Sequence, residues 1–461
     1  MFRNKIGKFW LAISVLVSMA VISTPSYALP SFARQTNKAC AACHFQNFPM
    51  LTDYGRAFKA SGFTEIYTEP TRENTDSGEL SLPIVLNSAF FGTMRYDRFS
   101  GDRTDSAGSP TYANFSEFTL PEEASLFISG RVASNVGFHS EIGLRPSAGL
   151  AAIKLPFSFP INDSMRVLVV PFAADGHGPS YGFETLNTGA SDIHLTFENG
   201  AQTSAQGYLS TADQGASGVA AVLWDPRFYV SYTRWAPTFS GSGQPAGIGS
   251  NYSPVSGIQA GKTPSANYFR AVYFVPIRGW DAAIGFQDFS GSSATPFDAT
   301  AGALFDGSRV NTVLWVIDAQ VQGAIGKYPL GVYFTHGHAP PSGTNQNLFN
   351  LSDPVSGIGV HAKTATTITS SFGLFPGKIN ISAGFMRANN GTDSSITGFP
   401  SSDNAFTAGV VYLFSQNVKF LFEFTRLQHG SGHDLDGEFD TNGHPVADVN
   451  QKMTFKLFYD L

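Results

Sequence analysis

From about Leu82 to the C-terminus the chain is a succession of short segments in which apolar and polar residues alternate. A period of two is the signature of β-strands with two unlike faces. The last segment is the clearest. Met453, Phe455, Leu457, Tyr459 and Leu461 alternate with Thr454, Lys456, Phe458 and Asp460. The segment before it sets Val418, Phe420, Phe422 and Phe424 against Lys419, Glu423 and Thr425. A row of phenylalanines facing water would aggregate, whereas facing lipid it is stabilised.

The connections carry the same message. Short turns are expected at Ala133–Ser134, Gly200–Ala201, Asp225–Arg227, Pro276–Gly279, Gly323–Lys327, Phe375–Lys378 and Ser415–Asn417. Between them lie long polar loops such as Ala236–Ser265, Gly291–Ser308, Gly337–Ser356 and His429–Asp448. Alternating short and long connections mark the periplasmic turns and extracellular loops of a transmembrane barrel, here of about sixteen strands. Met165–Phe172 breaks that parity. It is assigned to a long second extracellular loop, Pro146 to Ser191, folded toward the lumen. The fold class expected is therefore all-β, a porin-like antiparallel transmembrane barrel spanning 82–461.

Composition agrees. Only 14 % of residues are charged, yet Phe (41) and Gly (47) are abundant and mean hydropathy is close to zero. One lipid face and one polar face per strand cancel in such an average. Past the N-terminal leader no run of about 18 apolar residues occurs, so no transmembrane helix is expected. Residues 1–28 read as a signal peptide: Arg3, Lys5 and Lys8 precede an apolar run from Phe9 to Ile22, and Ser26-Tyr27-Ala28 is a small-x-small cleavage site. Its removal takes the formal net charge from −6 to −9, which leaves no footprint for nucleic acid. The chain is expected in the outer membrane.

Strand parity turns His139 and Glu141 toward the lumen, opposite Val136, Phe138 and Ile142, and does the same for His194, Glu198, Asp318, Glu423 and Met386. His361 and Lys363 point inward if Ile358 and Val360 meet lipid. Polar residues are the ordinary filling of such an interior.

The chemistry sits before the first strand. Cys40 and Cys43 are the only cysteines, and with His44 they form Cys-x-x-Cys-His. This spacing attaches haem c through two thioethers and sets the imidazole beneath the iron. A thioredoxin-like pair would need a surrounding βαβ unit, and none is visible. A zinc site would need further Cys or His nearby, and none occurs before His139. One covalent haem c is expected, with Cys40 and Cys43 as thioethers and His44 as proximal ligand. The segment 29–81 is too short to enclose a porphyrin by itself. Met50–Ser61, with Leu51, Tyr54 and Phe58 on one face and Gly62 as C-terminal cap, offers one short helix. A cytochrome plug in the periplasmic mouth of the barrel follows. Candidates for the distal ligand are Met50, Met386, His139, His194 and His361.

Pro30-Ser31-Phe32-Ala33-Arg34-Gln35-Thr36, the haem motif, Phe48-Pro49-x-Leu51, Gly55-Arg56-x-Phe58-Lys59 and Gly62-Phe63-Thr64 together resemble the start of the fused outer-membrane cytochrome–porins of iron-oxidising bacteria. The similarity is specific over residues 30–64 and architectural beyond them. It implies oxidation of extracellular Fe(II), an Fe(II):cytochrome c oxidoreductase activity, with the electron passed to a periplasmic cytochrome. Cys40, Cys43 and His44 carry over as haem-binding positions. The last long loop adds His429, His433, Asp434 and Asp436, whose imidazoles and carboxylates suit a ferrous ion, and His336 and His338 are expected in the loop before the thirteenth strand. Two other readings stay open: a haem-bearing porin for solute diffusion, and a peroxidase-type haem enzyme.

Overall fold

The computed structural model describes residues 30–460 apart from 68–70, 76–77, 83–86, 105–109, 145–148, 176–177, 188–191, 194–205, 210–214, 238–263, 295–308, 353, 356, 398–399 and 428–448. The strands form one closed antiparallel barrel, sealed where Val449–Asp460 pairs with Ser88–Thr104. Three strands are interrupted. Pro110–Thr119 and Ala124–Ala133 both run along Ser88–Thr104, Gly149–Lys154 and Phe157–Pro160 both pair with Arg166–Ala174, and Arg309–Asn311 and Leu314–Ile325 both pair with Trp280–Ala294. With each such pair taken as one strand, the barrel has sixteen. Thr71–Thr75 and Gly78–Leu82 form a separate two-stranded hairpin, so the wall begins at Ser88.

The sorting of side chains follows the alternation. Phe422, Phe455, Ile368, Phe385, Phe406 and Ile284 stand 38–59 % exposed on the outer surface, while their neighbours Glu423, Thr454, Thr367, Met386, Thr407 and Ala283 are buried on the inner one. A continuous apolar outer band around a closed ladder is what hydrocarbon requires, because no backbone N–H or C=O is left without a partner.

One expected loop is wall instead. Arg166–Ala174 is a strand, paired on one side with residues 152–160 and on the other with Ala216–Asp225. A short turn lies at 161–165, and the turn expected at Gly200–Ala201 falls outside the described residues. The reason is physical. Leu168, Val170 and Phe172 face inward but meet apolar packing rather than water, so this strand is apolar on both faces and has no polar alternation to read.

What they pack against is chain folded into the lumen. Residues 178–187 and 192–193 cross the interior, as the long second loop was expected to do. Phe183 sits 5.2 Å from the Tyr229 ring. The Tyr229 hydroxyl donates to the Glu184 carboxylate at 2.5 Å, and Arg270 donates to Glu184 at 2.9 Å and to Asp318 at 2.5 and 2.9 Å. On another part of the wall, Ser371 and Ser382 donate to Asp192 at 2.9 and 2.5 Å. The segment is a strap tied to two stretches of the barrel wall.

Arg270 has no solvent exposure and serves two buried carboxylates. Arg270→Leu leaves both without their cation and is expected to destabilise the barrel by about 3–5 kcal/mol. The temperature at which the folded band is lost in heat-modifiable gel migration should fall. Arg270→Lys, which keeps the charge but loses the bidentate geometry, should fall less.

Candidate functional site

The N-terminal segment is built from three short helices, α1 (Pro30–Thr36), α2 (Cys40–Cys43) and α3 (Asp53–Ala60). Proline at the first position of α1 gives up no hydrogen bond that the helix would use. Thr52 caps α3 by accepting from the Gly55 N–H at 3.2 Å, and Asp53 and Lys59 suit the two ends of its dipole. That cap makes α3 shorter than the expected Met50–Ser61. Leu51 is instead bridged to His44 as extended chain. Gly62 follows α3 with φ +73°, as a C-terminal cap requires. Phe32, Phe58 and Phe63 form a core of three rings with centroids 4.9–5.7 Å apart.

So small a core leans on the barrel. Arg56 forms an ion pair with Asp281 at 2.7 Å and lies over the Phe274 ring. Ser158 donates to the Ala60 carbonyl at 2.9 Å. A Cβ on Gly137 would fall 1.8 Å from the Gly62 oxygen, so only glycine lets the wall meet the chain there. The Cys40 N–H donates to Gln416 in the turn 415–417, and the Gln46 side-chain N–H donates to the Ser371 carbonyl at 3.3 Å. Asp281, Ser158 and Gln416 all lie in or beside short turns. The segment fills the short-turn mouth of the barrel.

Within it, Cys40 and Cys43 stand one helical turn apart, both half-buried. The turn is pinned from three sides: the His44 N–H donates to the Cys40 carbonyl at 2.8 Å, the Thr52 N–H to the Cys43 carbonyl at 2.9 Å, and the Thr52 hydroxyl to the Ala42 carbonyl at 2.6 Å. Gly55 lets α3 close on it, since a Cβ there would lie 2.2 Å from the Cys43 oxygen. The His44 Nδ1–H donates to the Met50 carbonyl at 3.2 Å, which selects the tautomer with a lone pair on Nε2. Burial holds the His44 pKa down at about 4, with the Lys419 charge adding to it and the Met50 hydrogen bond opposing. The ring is therefore neutral, the form that binds metals. Burial, with help from Glu65, pushes the Cys43 thiol up to about 11, unlike the thiolate of a disulfide-exchange pair. Both amide atoms of Asn47 are buried without a partner. Two thiols on one turn, an oriented neutral imidazole and an orphaned amide fit a covalently held haem.

The other candidates divide. His139 is brought against the plug, its ring 6.2 Å from Phe32 and 6.1 Å from Phe63, with Nδ1 bonded to Ser129 at 2.7 Å. Met50 is fully buried in the loop that follows His44. Met386 is buried on the inner wall with Phe172 and Leu209, near the long-loop end of Ile379–Asn389. His361 corrects an expectation: it is not on an inward strand face but in a loop, 64 % exposed and 4.0 Å from Asp393, because the strand starts only at Lys363. His336 and His338 are likewise not in a loop; they lie on an outer strand face, 5.5 and 5.7 Å from Trp315. His194, His429, His433, Asp434 and Asp436 fall outside the described residues, among which no group of three His, Cys, Asp or Glu could hold a metal ion. Gln416, Lys419 and Glu184 were not visible as site residues, since each reaches the plug or strap from far along the chain.

No protein-family model matches the chain, and no curated protein does. Among solved structures it is similar to the outer-membrane channel DcaP of Acinetobacter baumannii, with 10 % identity, 81 % of this chain and 96 % of that one covered, and a TM-score of 0.47. It is also similar to OprB of Pseudomonas putida (11 % identity, 81 % and 94 % covered, TM-score 0.48) and to the outer-membrane protein OmpT of Vibrio cholerae (12 %, 85 % and 100 %, 0.41). None of these three names a haem. The closed sixteen-strand ladder and its apolar outer band make the chain a transmembrane antiparallel β-barrel.

Lys59, in α3, is half-buried within the field of Glu184 of the strap, and desolvation lowers its pKa from the usual 10.5 to about 8. Below about pH 8 it is charged both folded and unfolded, and its desolvation counts fully against docking. Above about 10.5 it is neutral in both states and the penalty vanishes. Lys59→Met should therefore stabilise the docked segment by on the order of 3 kcal/mol at pH 7, fading as pH rises from 8 to 10.5. Protease protection of residues 30–67 at the two pH values checks this.

Proposed function

We propose that the barrel carries a single covalent haem c on Cys40 and Cys43, ligated by His44, and moves electrons across the outer membrane. The observation that carries the reading is the motif turn in the short-turn mouth, with the His44 Nδ1–H held by the Met50 carbonyl and Nε2 left for iron. A haem bound there supplies a one-electron carrier. The protein's part would be to hold it where lipid is bypassed: Cys40, Cys43 and His44 would bind it, α3 and the inner wall would cover it, and His139 and Met50 are the candidates beside the plug for a further ligand.

The packing of the inner wall is compatible with an electron route. Arg270, Gln287, Tyr333, Thr407, Glu423 and Leu421 line the inner wall with no solvent exposure, so around them the interior is packed rather than water-filled. Electrons need no open channel. The donor suggested by the resemblance is extracellular Fe(II), each ion giving up one electron and leaving as Fe(III), and the acceptor is a periplasmic electron-carrier cytochrome. The loop residues His429, His433, Asp434 and Asp436 are the proposed landing place for the ion. A second reading, solute diffusion through a haem-bearing porin, is favoured by the porin-like barrel itself.

Stopped-flow mixing of the purified protein with Fe(II) should reduce a haem chromophore. The double variant Cys40→Ala, Cys43→Ala should lose the chromophore while keeping heat-modifiable migration. A colourless wild-type protein would sink the proposal. Rapid swelling of proteoliposomes in sugars, with no haem reduction by Fe(II), would favour diffusion.

A further inference from the structure

Lys419 stands second in the strand Val418–Leu427, immediately after the turn whose Gln416 accepts from the Cys40 N–H. Its neighbours on the inner face, Leu421 and Glu423, are buried, and Lys419 itself is 7 % exposed. Nζ reaches into the plug: it donates to the Phe48 carbonyl at 3.5 Å, and it lies 4.3 Å from the Phe458 ring centroid and 5.9 Å from that of Phe48. The Phe48 ring in turn stands edge-on to His44, with centroids 5.6 Å apart. One aromatic ring separates the ammonium from the proximal imidazole.

We propose that Lys419 is a positioning and potential-setting residue for the haem that His44 ligates, its fixed positive charge favouring the ferrous over the ferric state. The inference rests on the haem reading of the preceding section. The physics is Coulombic: ferric iron carries one more positive charge than ferrous, and a buried cation acts through protein and aromatic rings rather than through water. The wall chose a cation beside the Cys-x-x-Cys-His turn, at a position where the outward neighbours are apolar and nothing about membrane insertion asks for a lysine. The groups that share its surroundings are the carboxylates of Asp192, Asp460 and Glu423 and the ammonium of Lys456. Asp192 is also engaged by Ser371 and Ser382, so part of its charge is directed there.

The test is a potentiometric titration of the full-length haem-loaded protein in detergent, with the visible spectrum recorded at each step. Lys419→Gln keeps a donor for the Phe48 carbonyl but removes the charge, Lys419→Met removes both, and Lys419→Arg keeps both. The Gln and Met variants should show a lower midpoint potential with the wild-type ligation spectrum, and Arg should restore the wild-type value. Asp460→Asn, which removes a carboxylate from the field, should move the midpoint upward and serves if the Lys419 variants fold poorly. Midpoints unchanged in Gln, Met and Asp460→Asn would overturn the inference. So would a fall seen only in Met with an altered spectrum, which would assign Lys419 to holding the Phe48 loop alone. Absence of haem from the wild-type protein is a different failure, that of the haem reading itself.

Discussion

An unpaired peptide group in hydrocarbon costs several kcal/mol, and that cost dictates the rest of this molecule. Among the described residues no helix is long and apolar enough to cross a bilayer, so these residues can cross only as strands, and strands can cross only if the sheet has no edge. The pairing of Val449–Asp460 with Ser88–Thr104 removes that edge. Once the ladder closes, every strand has an inside and an outside, and the side chains have no further choice than to sort between lipid and lumen.

The inside is then the problem. A sixteen-strand cylinder is wide, and the inner wall of this one carries buried charge: Arg270, Asp318, Glu423, Lys419 and Lys452. Buried charge is tolerated only when it is paired and hydrogen-bonded. The lumen strap and the N-terminal plug supply some of the partners and the wall supplies others. Glu184 of the strap meets Arg270, Asp192 meets serines on another stretch of wall, Arg56 of the plug meets Asp281, and within the wall Asp318 meets Arg270 and Asp97 meets Lys452. The strap and plug, for their part, are too small to bury their own apolar residues. Wall and contents each complete the other, which is why a segment with a three-phenylalanine core can present an ordered Cys-x-x-Cys-His turn at all.

Much of this was legible along the chain, and the misses have definite causes. Alternation identified the faces of Val418–Leu427 and of the C-terminal strand, because water and lipid impose opposite demands on successive residues. It failed at Arg166–Ala174, where the inner face is packed by the strap and both faces are apolar. It failed again at His336 and His338, whose polarity suggested a loop although they flank Trp315 on the outer wall, where an imidazole can sit at the level of the lipid headgroups. His361 was placed inward on an assumed strand that begins two residues later.

By itself the sequence determined what is local or periodic: the two thiols and the imidazole at fixed spacing, the glycine that follows α3, the outward phenylalanines and a barrel of about sixteen strands. Covalent spacing and two-residue periodicity survive without knowledge of distant chain. The tertiary structure alone decided which polar residue meets which. Lys419 lies 371 residues from Phe48 and Gln416 lies 376 from Cys40, and nothing in a linear pattern distinguishes them from other inward polar residues. Barrel closure sets those meetings, because it lays the last strands beside the first and wraps all of them around whatever the lumen holds.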